Sequence, residues 1–148
     1  MLKYTLDEIK QHRKNWVKAL RSGLYTQGTG FLRDKDDNFC CLGVASDVCK
    51  LKEPVLATYD SDSPNAYYYG DPNEEHDCIY LSGDAMDYYG LKTHDGSYMI
   101  ENVGGEESYS DYNLVTDNDD HHLSFDEIAD IIEKEPKGLF KEDSFWYK

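Results

Sequence analysis

The clearest periodicity lies near the N-terminus, where Leu6, Ile9, Trp16, Val17 and Leu20 recur at helical spacing among lysines and arginines. Thr5-Leu6-Asp7-Glu8 reads as a capping box: the Thr hydroxyl takes the N3 amide, Glu8 reaches back to the cap, and Gly23 supplies the stop. The pattern predicts a helix over about 6–21, apolar on one side and basic on the other through Lys10, Arg13, Lys14, Lys18 and Arg21. Two short apolar runs, Phe31-Leu32-Arg33 and Phe39-Cys40, flank the turn-forming Asp34-Lys35-Asp36-Asp37-Asn38 and predict a hairpin. From Cys41 the period lengthens: Cys41, Val44, Ala45, Val48 and Cys49 share a helical face, so a second helix follows directly.

Further along, Ser82-Gly83-Asp84-Ala85-Met86 opens a short helix that Gly90 closes. His94-Asp95-Gly96-Ser97 reads as a turn between Leu91-Lys92-Thr93 and Tyr98-Met99-Ile100. Ser124-Phe125-Asp126-Glu127 is a second capping box, followed by the apolar face Phe125, Ile128, Ala129, Ile131 and Ile132 and ended by Pro136 and Gly138. Residues 52–79 and 103–122 show no period: the first is an irregular Tyr-rich loop punctuated by Pro54, Pro64, Gly70 and Pro72, the second an irregular acidic loop. The expected fold is one α+β domain over residues 1–148, with an N-terminal amphipathic helix, a small antiparallel sheet and three further helices.

Charge changes this picture most. The 148 residues carry 15 Lys+Arg against 30 Asp+Glu, a net charge of −15, yet the charge is unevenly spread. Residues 1–52 hold ten basic and six acidic residues, whereas residues 53–133 hold Lys92 as their one base against 21 acids. An anionic ligand is therefore expected on the first third of the chain and a basic partner on the rest. Aromatic residues make up 14%, thirteen of them tyrosines, which excludes a disordered acidic chain. Direct binding to nucleic acid over most of the surface is electrostatically excluded. No apolar run approaches the ~18 residues of a membrane span, and the N-terminus lacks a basic-then-apolar leader pattern. Cys40, Cys41, Cys49 and Cys78 match no zinc spacing, and reduced thiols in a cytoplasm are the simplest reading.

Trp16-Val17-Lys18-Ala19-Leu20-Arg21-Ser22-Gly23, the run Arg33-Asp34 followed by Phe39-Cys40-Cys41-Leu42-Gly43-Val44, and the helix Ser124-Phe125-Asp126-Glu127-Ile128-Ala129-Asp130 resemble stretches of a family of small proteins common in bacteriophages and prophages. Leu81 to Leu91 is similar to that family's middle helix. The resemblance implies a phage accessory protein acting in the cytoplasm of a bacterial host, and it carries over no catalytic residue. The Tyr-rich insertion near 59–80 and the acidic 101–120 segment depart from the family pattern.

Four constellations hold candidate chemistry. Arg13, Arg21 and Arg33, joined by Lys14 and Lys18, form a phosphate-binding candidate because guanidinium groups pair bidentately with phosphate. Tyr67, Tyr68 and Tyr69 offer rings to stack on a nucleobase or to bury in the core. Cys41-Leu42-Gly43-Val44 resembles the Cys-x-Gly start of the catalytic helix in NlpC/P60-type cysteine peptidases, with Cys41 or Cys40 as nucleophile and His94 as base. Cys40 stands where those enzymes carry an acidic residue, and no His-Val-Gly-like strand follows. The acidic run at 117–127 departs from an EF-hand, with Thr116 and His121 at the first and glycine positions, leaving Asp117, Asp119 and Glu127 as a weak divalent-cation candidate. No cofactor is implied.

The leading functional expectation is a non-enzymatic, host-defence-countering phage accessory protein that binds and sequesters a host component. Its ligand is a small anionic molecule, a signalling nucleotide first, or a host protein. The alternatives are an acidic DNA mimic that inhibits a host DNA-binding protein and an NlpC/P60-like cysteine hydrolase.

Overall fold

The computed structural model describes residues 3–71, 73, 77–101 and 109–142. Helix α1 spans Leu6–Arg21 and opens on both bonds of the expected box, Glu8 N to Thr5 Oγ1 at 3.2 Å and Thr5 N to Glu8 Oε1 at 3.0 Å. Its buried stripe is Ile9, Arg13, Trp16, Val17 and Leu20, which corrects one sequence assignment: Arg13 belongs to the inward face. Helix α2 (Cys41–Cys49) starts immediately after the hairpin, as expected, with Cys40 as its cap. The short α3 (Gly83–Tyr89) ends on left-handed Gly90, and α5 (Phe125–Lys134) carries the second capping box.

The strands form a five-stranded sheet in the order β1-β3-β2-β5-β4. These are β1 (Thr26–Gln27), β2 (Arg33–Asp34), β3 (Asn38–Phe39), β4 (Pro54–Ala57) and β5 (Ala66–Tyr69). The predicted hairpin is β2–β3, with Arg33 opposite Phe39 and its turn tied by Asp34 Oδ1 to the amides of Asp36 and Asn38. The antiparallel expectation needs one amendment, because β1 runs parallel to β3 and the sheet is mixed. A separate two-stranded sheet joins β6 (Ser97–Glu101) to β7 (Tyr109–Asn113).

Both irregular stretches contain structure. Within 52–79, β4 and β5 pair from Pro54 opposite Tyr69 to Ala57 opposite Ala66. Three of the four β5 residues, Ala66, Tyr68 and Tyr69, are buried, so the strand lacks the inside–outside alternation that would reveal it. Within 103–122, β7 is followed by α4 (Leu114–Asp119), a fourth helix beyond α1, capped by Asn113. The turn expected at His94–Ser97 is present, with Gly96 N on Thr93 O at 3.5 Å, but the runs on either side of it pair elsewhere. Leu91 bridges Phe140, and Tyr98 lies opposite Tyr112.

The core is helical. Trp16, Leu42, Val44, Tyr89, Leu91, Leu114, Ile128, Ile132 and Leu139 are each almost completely buried. Asn118 is a polar node inside it, taking Gln27 Nε2 and the Cys41 amide on Oδ1 and donating Nδ2 to the Gly28 carbonyl. A buried amide whose hydrogen bonds are satisfied in this way fixes one arrangement of the segments it joins.

Candidate functional site

The basic residues of α1 face α5. Between the two helices runs an open groove of about 760 Å3, lined by Lys10, Arg13, Lys14, Val17, Lys18, Arg21 and Ser22 on one side and Ile132, Glu133 and Glu135 on the other. At its base lie Val17 and Ile132, which belong to the buried core.

Both arginines in the groove are already engaged. Arg13 donates Nε to the Tyr89 carbonyl at 2.7 Å and Nη1 to Glu135 at 2.7 Å, and its guanidinium lies 3.7 Å from the centre of the Phe140 ring. Arg21 bridges Asp130 and Glu133 of α5, whose carboxylates raise its pKa. Lys14 and Lys18 are exposed on the same wall and make no ion pair among the described residues. They are the groove's available cations. The acids that hold the arginines, Asp130, Glu133 and Glu135, lay outside the sequence candidates, although Asp130 and Glu133 sit three apart on one helical face.

Arg33 does not join Arg13 and Arg21. It lies on β2, pairs with Asp37 at 2.8 Å and stacks over Tyr67 at 4.4 Å and Phe39 at 5.2 Å. The tyrosine triplet is likewise outside the groove: Tyr68 and Tyr69 are buried in the sheet and Tyr67 covers Arg33. Burial first and Asp47 second push the Tyr69 phenol up to about 12, against the pull of Arg33. Tyr69 lines a second cavity of about 450 Å3 together with Tyr80, Lys52, Asp71, Asp77 and Asp84. Three carboxylates to one ammonium make that cavity repellent to an anion, so the triplet does not serve the phosphate candidate.

The hydrolase alternative meets contrary chemistry. Cys40 and Cys41 are buried; burial pushes the Cys40 thiol up to about 12 and holds Cys41 well above the ordinary thiol range. A nucleophilic cysteine needs the opposite shift. Their hydrogen bonds go to the backbone, Cys41 Sγ donating to Leu114 O at 3.5 Å and Cys40 Sγ accepting the Gly43 amide at 3.4 Å. His94 instead packs edge-on against Tyr80, at 4.5 Å between ring centres. Native protein treated with a thiol-specific chromogen is expected to react only at half-buried Cys49, with all four cysteines reacting in denaturant. Prompt native labelling of Cys40 or Cys41 would reopen the nucleophile reading.

The weak cation candidate also disperses. Asp117 is buried and receives the Tyr98 hydroxyl and, at 2.9 Å, His121 Nδ1. Asp119 receives Asn118 Nδ2, and Glu127 closes the α5 capping box. Among the described residues no three His, Cys, Asp or Glu side chains form a group able to hold a metal ion. No helix among the described residues is long and apolar enough to cross a membrane.

Comparison with curated proteins and with solved structures finds no match. A protein family described as "Domain of unknown function (DUF8296)" matches residues 7–136, which takes in the five described helices apart from Leu6 and the whole groove wall. On that span, the chain belongs to this family of domains of unknown function.

Proposed function

We propose that the protein is a phage accessory protein that captures and sequesters an anionic host component in the groove between α1 and α5. The observation carrying this reading is the pair Lys14 and Lys18, exposed in the groove and without ion pairs among the described residues, in a chain of net charge −15. The phage setting and the counter-defence role rest on the sequence resemblance. In a small signalling nucleotide, the phosphates would sit against the two lysines.

The test is thermal denaturation against a panel of cyclic mononucleotides, cyclic dinucleotides and acidic polypeptides, run on the wild type and on a K14E/K18E variant. A ligand at a hundred times its dissociation constant stabilises the folded state by about 2.7 kcal/mol. At least one anion is expected to raise the melting temperature of the wild type and not of the variant, and added salt is expected to weaken the effect. No shift across the panel, or equal shifts in both proteins, sinks the proposal.

A further inference from the structure

The five-stranded sheet ends on β4, which pairs with β5 on one side and, among the described residues, with no strand on the other. A sheet edge presents unpaired amide and carbonyl groups, and proteins commonly blunt such edges with charges, bulges or very short strands. The opposite edge follows that habit, because β1 is two residues long. Strand β4 does not. Its residues Pro54-Val55-Leu56-Ala57 carry no charge in a chain of net charge −15, and Leu56 is 44% exposed. Pro54 stands at the first position, where a missing amide disturbs the edge least.

Charge lies instead at the two ends of the strand, with opposite sign. Lys50 and Lys52 precede it against Glu53, while Asp60 and Asp62 follow it, unopposed, in the loop to β5. Both lysines and both aspartates are exposed and make no ion pair among the described residues.

We infer that β4 is a self-association edge, on which a second copy of this chain lays its own β4 antiparallel to the first. Two-fold pairing of identical strands sets the N-terminal end of each beside the C-terminal end of the other. Lys50 and Lys52 of each copy then lie alongside Asp60 and Asp62 of the other, so the same complementarity is satisfied twice. A parallel copy would set like charges together. A foreign strand would need an uncharged middle with a basic and an acidic end in the matching order, which this chain already carries. Two molecules of net charge −15 repel one another and the edge is four residues long, so the dimer is weak and concentration-dependent. The groove between α1 and α5 plays no part, and the two readings stand or fall separately.

The experiment is analytical ultracentrifugation of the full chain from about 10 µM to about 500 µM in about 150 mM salt. The weight-average mass is expected to rise with concentration from the monomer value toward twice that value. Leu56→Lys, which puts a charge on the edge, is expected to weaken the dimer about tenfold or more. Lys52→Glu and Asp62→Lys are each expected to weaken it about fivefold, and K52E/D62K to recover the wild-type affinity with the net charge unchanged. Asp62→Lys is the sharpest of these, because it makes the chain less negative and general repulsion alone would then strengthen the dimer. Positions 52, 56 and 62 are exposed, and circular dichroism checks that each variant folds.

A chain that stays monomeric across the whole range overturns the inference. So does a dimer indifferent to Leu56→Lys, one that Asp62→Lys strengthens, or one that K52E/D62K fails to restore.

Discussion

Gly43→Ala is expected to cost about 4 kcal/mol or more, a large share of the ~5–15 kcal/mol that holds a domain of this size folded. Helix propensity alone argues the other way, since alanine in a helix interior is favoured over glycine by about 1 kcal/mol. The packing decides. A Cβ at position 43 would lie 1.6 Å from the Leu32 carbonyl oxygen and 2.5 Å from its carbon, and backbone atoms cannot rotate away as a side chain can. That same carbonyl accepts the Cys40 amide at 3.3 Å, while the Leu32 amide donates to Cys78 O at 2.7 Å, so both sides of the Leu32 peptide are tied. Moving it would disturb the entry to α2 and the link to the Cys78 segment together. Urea melts read by far-ultraviolet circular dichroism measure the loss. Gly83→Ala is the control, because its Cβ meets nothing within 4 Å, and it is expected to change stability by less than about 1 kcal/mol. A Gly43→Ala protein within 1 kcal/mol of the wild type would show that α2 can lift off the Leu32 backbone.

This gives a physical meaning to the string Phe39-Cys40-Cys41-Leu42-Gly43-Val44. Cys40 caps α2 with its sulfur, Cys41 packs under α4 with its amide on Asn118, and Gly43 lets the helix touch the Leu32 backbone just before β2. The adjacent thiols suggest reactivity in the sequence, yet burial makes them core residues.

The legible elements are those whose ends and faces are written locally. Helices α1 and α5 each carry a capping box and an apolar stripe, and the β2–β3 turn carries the Asp34 side chain that closes it. What stays hidden depends on distant partners. Strand β5 is covered on both sides, and β7 and α4 lie in a polar stretch whose inward groups, Asn118 and Asp117, are polar themselves. Their burial is made acceptable by Gln27, Gly28 and Cys41 for one and by Tyr98 and His121 for the other. The site divides the same way. The basic face of α1 is readable from its spacing, but the three arginines look equivalent in sequence. They part company only because Glu135 and Phe140 reach Arg13, α5 reaches Arg21, and Tyr67 covers Arg33.

Arg13→Ala tests that division and is expected to lower stability by about 2–4 kcal/mol, from lost packing and the deserted Tyr89 carbonyl more than from the ion pair, whose partner Glu135 is half exposed. The guanidinium joins three segments: its Nε serves the carbonyl of Tyr89 at the end of α3, its Nη1 serves Glu135 beyond α5, and its face lies on Phe140. Alanine would leave the Tyr89 carbonyl without this donor and open a space between α1 and Phe140. Arg13→Lys is expected to rescue little. An ammonium lacks the planar fork that donates in two directions while its face stacks on a ring, so a loss of about 2 kcal/mol should remain. Lys14→Glu and Lys18→Glu, by contrast, are expected to stay within about 0.5 kcal/mol of the wild type, since both side chains are exposed on the same helix. The two classes therefore separate by measurement: urea melts should rank Arg13 as framework, and ligand titrations should rank Lys14 and Lys18 as surface. An Arg13→Ala protein of wild-type stability that no longer binds any anion would reverse the assignment. The buried guanidinium would then be a binding group, held ready by Glu135 rather than committed to it.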